Sequence, residues 1–127
     1  MLEIKDFTSI NDLFFSFRCE LGDALYSSGV IFENKCTNER FTDFFPEIRE
    51  TLEWINSNIT DIKSQTEKNL PDNADLEIFK NCMILSFSLR FNKDNVLLSH
   101  IAYGDKEGIY LISDIKHKKV FSVEMNL

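Results

Sequence analysis

The stretch SINDLFFSFRCELGDALYSS, residues 9–28, sets what the first part of the chain becomes. Ile10, Leu13, Phe14, Phe17, Leu21, Ala24 and Leu25 recur at the i, i+3, i+4 spacing of one helical face, which predicts an amphipathic helix. Ser9 is placed to cap it, with Asp12 three residues on reaching back as in a capping box. Gly29 suits a left-handed stop at its end. Gly22, inside the stretch, costs a helix about 1 kcal/mol relative to Ala.

Working outward, residues 30–33 read as a short strand and residues 34–42 as a loop or a short helical turn. In DFFPEIRETLEWINSNITDIKSQTEK, Ile48, Leu52, Ile55, Ile59 and Ile62 step by four and three, which predicts a second amphipathic helix. Pro46 falls in its expected first turn, where a missing N–H does no harm, and Asp43 or a neighbour is the expected cap. NLPDNAD, residues 69–75, is a polar connection. From Phe79 the period changes to two: Phe79, Met83, Leu85, Phe87, Leu89 and Phe91 against Lys80, Ser86, Ser88 and Arg90. Three more strands follow, VLLSHIAY, IYLISDI and VFSVEM, separated by GDKEG and HKK turns. The expected fold is α+β in one domain, residues 1–127. Two main N-terminal helices (helical part about residues 1–75) pack on an antiparallel C-terminal meander of about four strands (about residues 78–126).

With 127 residues, 43% of them hydrophobic and twelve of them Phe, the chain can build one aromatic-rich core. It contains no apolar run of transmembrane length, and MLEIKDFTSIND puts acids where a signal peptide needs a basic start. The expectation is a cytoplasmic protein that binds no membrane. Cys19, Cys36 and Cys82 are odd in number and widely spaced, which fits free thiols in a reducing compartment.

Catalytic grammar is sparse. The chain has no CxxC, HxH or HExxH spacing and no glycine-rich phosphate loop, so no metal and no cofactor are expected. Of the two histidines, His117 lies in a turn and His100 in a strand, where it reads as a structural residue. A Cys82/His100 nucleophile pair with Asp114 can be imagined only if the fold brings these scattered residues together. The chain therefore reads as a non-enzyme.

Charge is more informative. The net charge is −7, and residues 1–80 hold 16 acids against 8 Lys and Arg, whereas residues 81–127 hold 5 against 6. Such a chain should not bind nucleic-acid phosphates directly. Glu39, Asp43, Glu47, Glu50 and Glu53 surround the start of the second helix at steps of three or four, and Asp61, Asp72 and Asp75 extend the negative character. Acids in a first helical turn favour the helix dipole, so a solvated face explains part of this. The functional reading is a docking surface for a basic partner, with Phe41, Phe44 or Phe45 as an anchor if one is exposed.

The C-terminal stretch carries a resemblance. His100-Ile101-Ala102-Tyr103 leads into the turn Gly104-Asp105-Lys106-Glu107-Gly108. Ile109-Tyr110-Leu111-Ile112-Ser113-Asp114 and Lys119-Val120-Phe121-Ser122-Val123-Glu124 follow. An apolar strand, a Gly/Asp turn, a strand ending in Asp and a valine-aromatic strand resemble the C-terminal end of the SUKH superfamily of immunity-type proteins. More loosely, the chain resembles bacterial toxin-immunity proteins such as those of contact-dependent inhibition. The resemblance implies a cytoplasmic immunity protein without an active site, a monomer or weak homodimer. It would neutralise a cognate toxin, a nuclease by expectation, through its acidic surface. Two alternatives remain: a phage-type inhibitor or nucleic-acid mimic aimed at a host defence nuclease, and a small enzyme.

Overall fold

The computed structural model describes residues 2–126, and its first surprise is that residues 9–28 are extended. Strand β1 (Thr8–Asn11), β2 (Phe14–Leu21) and β3 (Ala24–Phe32) form an antiparallel run at the start of the chain. The helices come next: α1 (Asn38–Ser57), α2 (Ile59–Lys68) and α3 (Leu76–Lys80). Four strands close the chain: β4 (Met83–Phe91), β5 (Leu97–Asp105), β6 (Gly108–Lys116) and β7 (Lys119–Met125). All seven strands belong to one sheet in the order β1-β2-β3-β4-β5-β6-β7. Every neighbouring pair is antiparallel except β3–β4, which is parallel. The expected architecture, two N-terminal helices on a separate four-strand meander, is therefore incorrect. The helices lie mid-chain, as the crossover that a parallel strand pair requires.

The helical reading of residues 9–28 failed because two periods overlap there. Phe15, Phe17 and Leu21 are buried while Arg18 and Glu20 are exposed, which is period two. Phe14 and Leu25 belong to the opposite face, and they completed a false helical stripe. Gly22 is no helix interior: with φ at +60° it opens the two-residue turn that joins Leu21 to Ala24. Gly29 is no helix stop. It sits mid-strand in β3, where the Phe14 ring lies against the space its side chain would take. Ser9 is in β1 and caps no helix.

Further boundaries move for physical reasons. Helix α1 starts earlier than expected because Thr37, not Asp43, is its cap, its side chain accepting from Arg40 N at 3.2 Å. Pro46 consequently lies inside the helix, at an exposed position where water can serve the carbonyl left without a donor. Phe79 is not in β4 but is the buried residue of α3. A bulge between Ile84 and Ser86 then shifts the phase of β4. Phe87, Leu89 and Phe91 face the core as expected, whereas Met83 is exposed.

One core holds the layers together. The inward rows of the sheet, including Phe15, Val30, Phe32, Leu89, Ile101 and Leu111, pack with Phe41, Ile48, Ile55, Ile62 and Phe79 of the helices. Phenylalanines dominate its centre: Phe15 stacks on Phe41 at 4.3 Å and Phe32 on Phe91 at 5.1 Å. Beneath α2 a small polar cluster is enclosed. The Thr66 hydroxyl lies 2.8 Å from Ser113 Oγ and donates to Ile62 O. Tyr103 Oη is buried beside it without a hydrogen-bond partner among the described residues. Burial pushes the Tyr103 phenol up to about 12, and the nearby Thr66 hydroxyl opposes only part of that shift.

The β3–β4 junction, which joins the two halves of the sheet, is narrow. Only Val30, Ile31 and Phe32 pair with Leu89, Arg90 and Phe91. Beyond them the strands are linked by side chains: Ser28 Oγ donates to Phe87 O at 2.6 Å and Tyr26 Oη to Ile84 O at 3.0 Å. No helix is long and apolar enough to cross a membrane among the described residues.

Candidate functional site: an acidic helix ridge and the cleft beside it

Helix α1 buries Phe41, Phe45, Ile48, Leu52 and Ile55. At about 100° per residue, Glu39, Asp43, Glu47, Glu50 and Glu53 fall on the opposite, outward side. All five are exposed. They form one ridge spanning about 21 Å along the axis at about 1.5 Å per residue. The two arginines of the helix do not neutralise its crest. Arg40 lies over the Phe44 ring at 5.7 Å and Arg49 over Phe45 at 5.5 Å, on the flanks. Among the described residues the one ion pair on the ridge comes from the β6–β7 turn, where Lys118 Nζ meets Glu50 Oε1 at 2.9 Å. Glu47 is held above the ordinary carboxylate range, first by burial beside the cleft and then by the charge of Glu50, with His117 opposing.

The remaining acids predicted as partner-binding are dispersed in role. Asp61, on α2, accepts a hydrogen bond from Gln65 Nε2 at 2.9 Å. Asp75 caps α3, accepting from Glu77 N and Ile78 N. Asp72 is exposed in the connection between α2 and α3. The structure thus brings Glu39, Asp43, Glu47, Glu50 and Glu53 together and leaves Asp61, Asp72 and Asp75 outside their ridge. Of the proposed anchors, Phe41 and Phe45 are core, and Phe44 is half-buried against Phe91 at 4.8 Å.

Beside the ridge lies a cleft that the charge pattern did not reveal. Glu47, Glu50, Thr51 and Trp54 line one wall; Leu97, Ser99 and Ile115 line the sheet side; His117 and Lys118 close the end. Its volume is about 320 Å³. The four helical residues sit at i, i+3, i+4 and i+7, a single-face pattern, but the amphipathic reading of this helix rests on its isoleucines and Leu52 and does not include Trp54. The turn residues could not be found that way. His117 and Lys118 both adopt left-handed backbone, φ 51° and 61°, as a tight type I′ hairpin demands. Neither is the Asn or Gly that announces such a turn.

The solvent face of the sheet holds the other polar cluster. Ser88, His100, Asp114 and Ser122 stand directly opposite one another across β4, β5, β6 and β7. His100 Nδ1 lies 2.6 Å from Asp114 Oδ1, a hydrogen bond in which an ionised carboxylate can only accept. A hydrogen bond to Asp114 and the charge of that carboxylate push Glu124 above its ordinary range, with burial adding and His100 and Arg90 opposing. Cys82 is not part of this row. It precedes β4, six residues before Ser88 and thus about 20 Å along a strand, and its thiol donates to Ile78 O at 3.3 Å. The three residues of the imagined nucleophilic arrangement therefore do not converge: His100 and Asp114 meet, and Cys82 stands apart.

Among the described residues no group of three or more His, Cys, Asp and Glu is arranged to hold a metal ion. Cys19, Cys36 and Cys82 are all free thiols. No family model, curated protein or solved structure matches the chain.

Proposed function

We propose that this chain is an immunity-type protein that binds and neutralises a basic toxin, a nuclease domain, through the outward ridge of α1. The observation that carries the reading is the ridge itself: five exposed carboxylates on one helix side, with both helix arginines stacked on phenylalanine rings. A nuclease presents a positive groove because its substrate is a polyphosphate. A negative ridge about 21 Å long complements such a groove, accelerates encounter and disfavours wrong partners. The resemblance of residues 99–126 to immunity-type proteins points the same way. Binding of this kind is 1:1 and needs no turnover.

The test is co-expression with the product of the adjacent open reading frame, followed by co-purification and an activity assay on nucleic acid. The expected result is a complex in which nuclease activity is suppressed and association slows steeply as salt rises. Replacing Glu39, Asp43, Glu50 and Glu53 by Gln is expected to cut the association rate at low salt by about tenfold or more. Association that ignores both salt and these substitutions would remove the ridge from the mechanism. A phage locus in place of a toxin gene would favour the nucleic-acid-mimic alternative.

A further inference from the structure

The cleft beside the ridge has features that an exposed acidic patch lacks. Its lining includes Ser99, only 2% exposed. Its walls include Trp54, Leu97 and Ile115, and its rim holds Glu47 and Glu50. A hydroxyl on the wall of a cleft offers an acceptor to whatever enters it. Flat aromatic surface, apolar walls, two carboxylates and an inward acceptor describe one chemical complement: a planar cation with several N–H donors.

We infer that this cleft receives an arginine side chain of the partner protein. The proposal rests on the immunity reading above and adds to it a specific anchor. A guanidinium stacks on an indole, donates in a fixed fork to carboxylates and is weakly hydrated, so it tolerates a half-enclosed site. An ammonium is compact and strongly hydrated, and it gains less from an aromatic wall. The molecule already supplies a cation at the mouth: Lys118 reaches Glu50 from the strained His117–Lys118 turn. That lysine satisfies one carboxylate from the rim, whereas Glu47 has no ion-pair partner among the described residues. An incoming arginine takes Glu47, stacks on Trp54, reaches Ser99 and displaces Lys118 from Glu50. Anchors of this type concentrate binding energy at the centre of an interface, while the surrounding ridge mainly governs encounter.

Trp54 is the single tryptophan of the chain, so the site carries its own reporter. Titration of the intact protein at constant ionic strength with Nα-acetyl-arginine amide is expected to change Trp54 fluorescence saturably, with a dissociation constant on the order of millimolar for a fragment of that size. The citrulline analogue, neutral but nearly isosteric, is expected to leave the signal unchanged, and the lysine analogue to bind at least five times more weakly. Glu47→Gln should weaken arginine binding about tenfold. Lys118→Ala, which removes the internal competitor, should strengthen it a few-fold. Chemical-shift changes confined to Trp54 Nε1–H and the Ser99 and Ile115 amides would place the ligand. Equal binding of citrulline or lysine analogues, indifference to Glu47→Gln, or no saturable change would overturn the proposal. The titration contains no partner protein. The arginine site can therefore fail while the complex still forms on the ridge, and it can stand even if the basic partner is not a toxin.

Discussion

Gly29→Ala is the sharpest test of how the first part of the chain is arranged. Gly29 lies mid-strand in β3 without a positive φ, so its backbone accepts alanine. What opposes alanine is a ring: the added Cβ would lie 2.5 Å from Phe14 Cζ and 3.2 Å from Cδ1, with Cε1 in contact. Phe14 is in β2, and its ring crosses to this site because its cross-strand partner is Ile31, two residues from Gly29. Overpacking of this kind costs about 1–3 kcal/mol, while alanine in place of glycine in a strand gains about 0.5–1 kcal/mol. The single substitution should therefore destabilise by about 1–2 kcal/mol. In a Phe14→Ala background the same substitution should be neutral or stabilising, giving a coupling of about 1–3 kcal/mol in a double-mutant cycle. Urea unfolding of the four variants measures it. Were residues 9–28 a helix, the two positions would sit about 22 Å apart along its axis and would not couple. Additivity within about 0.5 kcal/mol would refute the strand register described above.

Tyr103→Phe keeps the ring, its edge-on contact with Phe79 at 5.2 Å and its burial, but removes a hydroxyl that has no hydrogen-bond partner among the described residues. Stability should rise by about 1 kcal/mol, seen as a thermal midpoint a few degrees higher, and a loss of that size would show the hydroxyl to be satisfied. Because Glu47 binds its proton more tightly folded than unfolded, its contribution is most favourable at acid pH and declines as pH rises through its raised folded value. Glu47→Gln should thus stabilise modestly at neutral pH, with the gain fading below about pH 4; a gain independent of pH would contradict the charge explanation. Burial pushes the Cys19 thiol up to about 11 and raises Cys36 and Cys82 as well. Native alkylation by iodoacetamide at pH 8 should therefore be slow at all three and fast after unfolding, and rapid native labelling of Cys19 would contradict its half-buried setting.

The C-terminal strands were legible because short apolar runs lie between turn-rich segments, and β5, β6 and β7 fall where expected, although β5 is buried on both faces rather than alternating. The apolar steps from Ile48 to Ile62 likewise found the helical segment, although Asn58 divides it into α1 and α2. Residues 9–28 misled because apolar side chains occupy both faces of β2 and β3: Phe14 covers Gly29 on the solvent side while Phe15 and Phe17 fill the core. A two-sided strand in this region yields spacings of three and four by accident, and Gly22 followed by Asp23 was the turn signal that could have broken the tie. For the site, spacing placed Asp43 through Glu53 on or at the start of one helix, whereas Glu39, read in the preceding loop or turn, joins them because Thr37 caps the helix earlier. Trp54, Ser99 and the left-handed His117–Lys118 turn come together only through the crossover, so no local pattern could announce the cleft.

The slender parallel junction has a consequence for how the molecule assembles. Residues 33–82 must span from one half of the sheet to the other before three residue pairs can form, a loop closure costing about 3–4 kcal/mol by chain-length scaling. The N-terminal β-ribbon is thus the natural late arrival in folding, and the first piece to detach under stress. Its departure would bare the flank of β4 as an open pairing edge.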